Sequence, residues 1–225
     1  MSLKSPTGDG YPATWFDPGC RRCPRLAGFL DEVRGQHPDY HAAPVPPFGP
    51  RAAALLIVGL APGMHGANRS GRPFTGDHAG ILLYETLHRL SLASGPASVS
   101  RDDGLELLGC RITNAVKCLP PANKPTPAEV RSCRRWLAAE LEEGRPRVIL
   151  ALGRIAHDGV LDALGRRRAA HPFGHGAEHD LGAAGRLVDS YHCSRYNTQT
   201  RRLTPEMFRE VMARAAALAG VGRGP

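Results

Sequence analysis

Four short apolar runs, separated by segments with helical features, constrain the fold of this chain most strongly. The runs span residues 53–58, 107–116, 147–152 and 186–191. Helices are predicted over 24–35, 78–92, 127–143, 155–164 and 205–218 from apolar spacing and from helix-start residues. Strands that alternate with helices form mostly parallel sheets covered on both faces. The sequence therefore predicts an α/β fold built on four strands.

Ligands of such sheets bind beyond the carboxyl ends of the strands. The loop that follows Val58 contains five glycines between Gly59 and Gly76, which allow backbone amides to approach a ligand closely. It lacks both GxGxxG and GxxxxGK[ST], so neither phosphate-loop motif is present. Asp77 ends the loop just before a predicted helix. It is either a helix N-cap or a carboxylate general base at the mouth of a pocket.

Two further loops follow strand ends and carry polar side chains. Asn114 ends the second predicted strand, and it is either a satisfied turn residue or a reader of a polar ring edge. His192 follows the fourth strand. A single histidine there is more often structural than catalytic, but a polar run follows it, with Arg195, Tyr196 and Asn197. The loops after these strands are thus candidates for a binding site.

Four of the six cysteines form a pattern typical of a metal site. Cys20 and Cys23 are a CxxC pair, while Cys118 and Cys133 lie far downstream and are 14 residues apart. This arrangement favours four thiolates that tie the N-terminal segment to the domain. A segment over 171–179 contains three histidines, but no acidic or cysteine partner has matching spacing, so no second metal site is expected.

The composition describes a basic protein without a membrane span. Its net charge is +8, and arginine carries it because only three lysines are present. Either a polyanionic partner or codon bias explains this arginine content. No run approaches the ~18 apolar residues of a membrane helix, and no secretion signal is recognised. We expect a cytoplasmic monomer with a flexible segment over 1–19, one domain over 20–219 and a flexible tail over 220–225.

The three loops together resemble the active-site motifs of a known family. The segments GLAPGMHGANRSGRPFTGD, TNAVKCLPPANKP and SYHCSRYNTQT are similar to those of iron–sulfur uracil-DNA glycosylases of type b, family 5. The resemblance implies a three-layer α/β/α domain with a central four-stranded, mostly parallel sheet. It also implies a [4Fe–4S] cluster of structural role on Cys20, Cys23, Cys118 and Cys133.

The same resemblance implies a monofunctional enzyme of base excision repair, near the nucleoid, that removes uracil from DNA. Asp77 would position or deprotonate the attacking water, and His192 would donate a hydrogen bond to the leaving base. Phe74 would stack on the flipped base. Residues that would complete the base site are Gly59, Ala61, Pro62, Gly63, Asn114 and Asn123. Residues that would contact DNA are Arg195, Tyr196 and Asn197.

Base specificity and activity stay open at this point. Asn114 resembles the uracil-reading asparagine of the sister type a enzymes, where type b enzymes often have a small apolar residue. The chain is therefore either selective for uracil or also active on hypoxanthine and xanthine. Two other functions remain: an inactive iron–sulfur module that binds DNA, and an α/β enzyme acting on small nucleosides.

Overall fold

A computed structural model describes residues 10–222. Its strands are β1 (Leu55–Gly59), β2 (Cys110–Asn114), β3 (Val148–Leu152), β4 (Glu178–Asp180) and β5 (Arg186–Ser190). Its α-helices are α1 (Pro24–Gln36), α2 (Ala67–Ser70), α3 (His78–Arg89), α4 (Pro127–Gly144), α5 (Arg154–Ala163), α6 (Arg195–Gln199) and α7 (Pro205–Ala219). Three short 3₁₀ turns cover Pro121–Asn123, Arg168–Ala170 and Gly182–Ala184.

The strands form one sheet in the order β2-β1-β3-β5-β4. Strands β2, β1, β3 and β5 are parallel, which confirms the predicted mostly parallel sheet. Strand β4 pairs antiparallel with β5. The prediction of four strands missed β4, because its three residues are all polar and show no alternation of apolar side chains. Their burial pattern is accordingly that of an exposed edge strand.

Side chains of the central strand β1 alternate between two apolar layers. Leu55 and Ile57 pack with α3 and α7 on one face, whereas Leu56 and Val58 pack with α4 and α5 on the other. Helix side chains in these layers include Leu83, Leu87, Phe208 and Met212 on the first face and Leu137, Leu141, Val160 and Leu161 on the second. The fold is therefore a three-layer α/β/α domain, and its parallel strands place their carboxyl ends at one edge.

Helix starts follow the local signals in the sequence. Thr126 caps α4 and forms a capping box with Glu129, and Pro127 occupies the first turn. Thr204 caps α7 by accepting a hydrogen bond from the backbone N–H of Met207 at 3.2 Å. Within residues 10–222, no helix has the length and apolar character needed to cross a bilayer.

The N-terminal segment packs against the domain as far as it is described. Tyr11, Trp15 and Phe16 are buried, and the guanidinium of Arg111 lies 4.6 Å from the centre of the Trp15 ring. This differs from the flexible segment predicted there, because large aromatic side chains gain stability by burial. The first nine residues lie outside the described part.

The C-terminal tail is also partly packed. Gly220 adopts a left-handed conformation that ends α7, and Val221 lies against the larger apolar layer. The flexible tail predicted from residue 220 therefore differs from the structure at these positions. The last three residues lie outside the described part of the chain.

Candidate active site

A pocket of about 400 Å³ opens where the loops after β1, β2 and β5 meet. The predicted residues that line it are Ala61, Gly63, Phe74, Asp77, Asn114, Asn123, His192 and Arg195. Sequence reasoning missed five further lining residues, Leu60, Ala67, His78, Ala79 and Ser194. Their only signal was proximity to the motifs. The pocket lies at the edge of the sheet where parallel α/β folds bind ligands.

Asp77 caps a helix and also lines the pocket, so the two positions that the sequence left open are compatible. It is the N-cap of α3, where its Oδ1 accepts a hydrogen bond from the backbone N–H of Gly80 at 2.9 Å. Its Oδ2 lies toward Gly63 and Gly66, since a Cβ on these glycines would come within 3.7 and 2.6 Å of it. Burial raises the pKa of the Asp77 carboxyl, and the N–H groups at the start of α3 act against that rise. Oδ1 thus caps α3, while Oδ2 is the oxygen available to a ligand in the pocket.

Phe74 is held in a strained position at the pocket wall. Its φ of 55° lies in the left-handed region, which is uncommon for a bulky residue. Tyr84 Oη donates to the carbonyl of Pro73 at 2.7 Å, and a Cβ on Gly80 would come within 1.8 Å of the Phe74 carbonyl oxygen. Close packing of this segment on α3 therefore holds the ring in place. Strain of this kind is concentrated at binding sites.

His192 faces Phe74 across the pocket. The two ring centres are 5.9 Å apart and their planes differ by 27°. Surrounding protein lowers the pKa of His192 to about 4, because burial disfavours the imidazolium. The ring is therefore neutral near pH 7 and can donate one N–H. The carbonyl of His192 accepts a hydrogen bond from Asn197 Nδ2 at 2.8 Å, which fixes the backbone that carries the ring.

Asn114 lines the pocket and contains a buried polar atom without a partner. Its side chain is 3% exposed, and its Oδ1 has no hydrogen-bond partner among the described residues. Buried acceptors are almost always paired in folded proteins, so this oxygen is suited to a donor supplied by a ligand. Asn123 lines the opposite part of the pocket from the turn after β2, with a left-handed φ of 56°.

Gly59 and Pro62 lie behind the pocket; neither is among the described residues that line it. A Cβ on Gly59 would lie 2.4 Å from Asn114 Oδ1 and 2.6 Å from Cζ of Phe74. Gly59 therefore permits these two side chains to approach β1. Pro62 is buried. The base contact predicted for both residues stays a prediction.

The three residues predicted to contact DNA do not all face solvent. Arg195 is exposed and lines the mouth of the pocket, and Tyr196 is 71% exposed beside it at the start of α6. Asn197 turns inward to the carbonyl of His192 instead. An exposed cation and an aromatic ring at the rim suit contacts with a nucleic acid outside the pocket.

The four predicted thiol ligands converge on a small enclosed cavity. Cys20 and Cys23 precede α1, Cys118 follows β2, and Cys133 lies on α4. Apolar side chains complete the lining, namely Phe16, Leu26, Ala27, Val116 and Trp136. The backbone N–H of Lys117 donates to Cys133 Sγ at 3.3 Å, as such groups do at cluster sulfurs. The four cysteines selected by their spacing thus surround one cavity.

The spacing of the thiols distinguishes two kinds of metal group. A tetrahedral zinc ion with Zn–S bonds of about 2.3 Å holds its sulfurs about 3.8 Å apart. In the described part of the chain, no three of these cysteines place their sulfurs within 4.8 Å of one another. The thiols therefore surround more space than one ion fills. Four thiols around one cavity are a donor set that an iron–sulfur cluster takes.

A second group of potential ligands includes one histidine of the histidine-rich segment. The structure brings His179 of that segment together with His157 and Asp189, whose ligand atoms lie within 4.8 Å of one another. Sequence spacing could not show this, because the three residues come from different elements: α5, β4 and β5. The acidic partner that seemed absent from the sequence is Asp189.

Fold and pocket together define a class of protein: an α/β enzyme with a carboxylate, a neutral imidazole and an aromatic ring at one sheet edge. The family model described as the uracil DNA glycosylase superfamily matches residues 46–216. The chain therefore belongs to the uracil-DNA glycosylase superfamily, which confirms the resemblance of the three motifs.

Several relatives share nearly the whole chain. A type-5 uracil-DNA glycosylase of Thermus thermophilus is 51% identical over 208 residues, which cover 90% of this chain and 94% of that protein. One of Pyrobaculum aerophilum is 47% identical over 220 residues, with 93% and 96% covered. One of Mycobacterium tuberculosis is 46% identical over 211 residues, with 90% and 79% covered.

Proposed function

We propose that this chain is a monofunctional uracil-DNA glycosylase that hydrolyses the N-glycosidic bond of uracil in DNA. One observation carries the proposal: Asp77 and His192 line the same pocket as Phe74 and Asn114. A base inside a duplex cannot reach such a pocket, so the nucleotide is flipped out of the stack. This substrate places the protein with chromosomal DNA in the cytoplasm, where it acts as a monomer.

One acceptor in the pocket distinguishes uracil from cytosine. Uracil has a ring N–H at the position where cytosine has an unprotonated nitrogen, and the unpaired Oδ1 of Asn114 can accept from it. Cytosine and adenine offer no ring N–H at that edge, so they leave the buried acceptor unpaired. Hypoxanthine and xanthine do offer one. We infer that these bases are further substrates, with Phe74 stacked on the flipped ring; thymine and guanine carry the same ring N–H, so the acceptor of Asn114 does not by itself exclude them.

His192 stabilises the leaving base. The bond between C1′ and the base nitrogen breaks, and its electron pair leaves with the base. A neutral imidazole N–H donates to a carbonyl oxygen of the base as negative charge develops there. Burial lowers the pKa of His192 to about 4, so this donor keeps the same state across neutral pH. Preorganised donors to developing charge are usually the largest catalytic contribution.

Asp77 acts on the other side of the sugar. Its free oxygen orients a water molecule whose oxygen bonds to C1′, and the proton of the water passes to the carboxylate. The negative charge of Asp77 also stabilises the cationic sugar, as carboxylates do in glycoside hydrolysis. The free base takes up a proton from solvent and Asp77 releases one. No lysine lines the described pocket, and the buried Lys117 is 3.2 Å from Glu140, which supports a monofunctional reaction.

We infer that the four cysteines hold a [4Fe–4S] cluster of structural role. A bound cluster supplies a rigid four-point link between α1, the segment after β2 and α4. Cys118 and Cys133 are buried while Cys20 and Cys23 are half-buried, so the group is enclosed by protein. The spacing of the thiols and the N–H of Lys117 support iron–sulfur ligation. Cys133→Ser should lower the melting temperature and the iron content of the protein together.

The activity is tested with a labelled oligonucleotide that contains one uracil, single- and double-stranded. Alkaline cleavage reports loss of the base, and Asp77→Ala is compared with wild type at equal iron content. Cleavage that collapses in the variant supports the proposal. Salt-dependent binding without base release, on uracil, hypoxanthine and xanthine alike, would instead support an inactive DNA-binding module.

A further inference from the structure

Two histidines and an aspartate form a buried group separate from the pocket and from the thiol cavity. His157 Nδ1 lies 2.8 Å from Asp189 Oδ1, and His179 Nε2 lies 3.4 Å from Asp189 Oδ2. The side chains of His157 and Asp189 are 1% and 0% exposed, whereas that of His179 is 11% exposed. The group therefore has a buried interior and one side near solvent.

The hydrogen bonds around the group indicate which ring nitrogens carry a proton and which have a free lone pair. His157 Nε2 lies 2.9 Å from the carbonyl of His171, and a carbonyl only accepts, so Nε2 carries a proton. The Nδ1 lone pair of a neutral His157 is thereby directed at Asp189. Histidines that bind metals are typically oriented in this way, with the second ring nitrogen donating to a carbonyl. The backbone N–H of Gly174 donates to Asp189 Oδ2 at 3.5 Å, which orients the carboxylate as well.

A further histidine is available beside the group. His171 Nδ1 lies 3.0 Å from the carbonyl of Arg167, so this nitrogen carries the proton and Nε2 keeps its lone pair. The rings of His171 and His179 are 5.6 Å apart. His171 does not belong to the group whose ligand atoms lie within 4.8 Å of one another, so water is left to occupy the fourth position from the side of His179 that is near solvent.

We propose that His157, His179 and Asp189 bind one divalent ion of the zinc class. Two imidazole nitrogens and one carboxylate are a donor set that zinc takes with a fourth ligand, at about 2.0–2.2 Å from each atom. Tetrahedral ligands at that distance lie about 3.3 Å apart, close to the 2.8 and 3.4 Å found between the paired atoms. The ion replaces the proton that His157 and Asp189 otherwise share, and that proton is released to solvent.

The position of the group gives the ion a structural consequence. It joins α5, β4 and β5, and Asp189 is three residues before His192. The edge strand β4 is short: its three residues pair with β5, and Glu178 also forms ion pairs with Arg186 and Arg214. The bound ion thus braces the strand end that presents the leaving-group histidine. It is distinct from the thiol site, to which none of its ligands belongs.

The experiment measures zinc in the full-length protein with its iron retained. Metal content is determined by mass spectrometry after dialysis against a chelator and again after one equivalent of Zn²⁺ is returned. His179→Asn removes a ligand near solvent. His175→Asn is the matched control, because His175 belongs to the same segment but stacks on Tyr191 with ring centres 5.0 Å apart.

We expect wild type and His175→Asn to bind one Zn²⁺ per chain and His179→Asn to bind it at least about 10-fold more weakly. The melting temperature should rise with Zn²⁺ in the first two proteins only. Cobalt in the site should show visible bands without the intense charge-transfer band of thiolate ligands. The inference is overturned if wild type holds no stoichiometric zinc, if His179→Asn binds it equally well, or if cobalt shows thiolate ligation.

Discussion

The substitution Asp77→Asn separates the structural and catalytic roles of one side chain. Asparagine is as good an N-cap as aspartate, and its carbonyl oxygen can accept from the N–H of Gly80 as Oδ1 does at 2.9 Å. The cap contribution of about 1 kcal/mol is therefore kept in the Asn variant and lost in Asp77→Ala. The negative charge that acts on the water and the sugar is removed in both.

The stability of Asp77→Asn relative to wild type should depend on pH. Burial raises the pKa of the Asp77 carboxyl above its unfolded value, so the ionised native form costs stability at neutral pH. That cost disappears as the pH falls through the native pKa, where the carboxyl takes up a proton. Asp77→Asn should therefore match or exceed wild type in unfolding free energy at neutral pH, and its advantage should shrink on acidification.

The expected loss of activity is large in both variants. A positioned general base contributes about 10²–10⁴-fold, equivalent to about 3–5 kcal/mol of transition-state stabilisation. Single-turnover excision of uracil from an oligonucleotide measures this, with thermal unfolding and iron content recorded on the same samples. Excision by Asp77→Asn within tenfold of wild type would refute the role of the charge. Equal destabilisation by Asn and Ala at neutral pH would refute the account of the cap and its burial.

The other predictions concern the remaining parts of the pocket and its rim. Because burial lowers the pKa of His192 to about 4, excision should show no inflection near the ordinary histidine value of about 6.5; an inflection there would contradict a neutral donor. Asn114→Ala should slow uracil excision about tenfold through loss of one hydrogen bond without lowering the melting temperature, and an unchanged uracil-to-cytosine ratio would remove Asn114 from base selection. Gly66→Ala should abolish excision, since its Cβ would lie 2.6 Å from Asp77 Oδ2, whereas Gly63→Ala, with 3.7 Å, should retain it. Arg195→Ala should weaken DNA binding in fluorescence anisotropy and reduce the salt slope by about 1; an unchanged slope would place the phosphate contacts elsewhere.

Local rules were sufficient for most of the fold. The apolar runs around Leu56, Ile112, Leu150 and Val188 are strands, because each is buried on both faces of a parallel sheet. Cap signals located the starts of α4 and α7. Strand β4 escaped prediction because its pairing with β5, rather than its own composition, makes it a strand. Burial of Trp15 likewise depends on contacts with Arg111, a residue far away in sequence.

The sequence predicted most residues of the site but not which side chains contact one another. Motif order located the loops that bring Asp77 and His192 together, but the cap of α3 and the position in the pocket were alternatives for Asp77, whereas the structure combines them. The contact between His157 and Asp189 joins residues 32 positions apart on different elements. No local spacing rule contains such a pair, because it arises from the order of the strands in the sheet.

The pocket concentrates features that destabilise the fold. Phe74 at a φ of 55° costs on the order of 1–3 kcal/mol, and the unpaired buried oxygen of Asn114 costs about 1–3 kcal/mol. Burial adds to this by disfavouring the charged forms of Asp77 and His192. Domains are stable by only about 5–15 kcal/mol, so the apolar layers and the ligand groups outside the pocket must offset these costs. Substitutions that remove any one of these destabilising features should therefore both stabilise the protein and slow excision. The reason is that the same unpaired and desolvated groups are the ones that bind the flipped base.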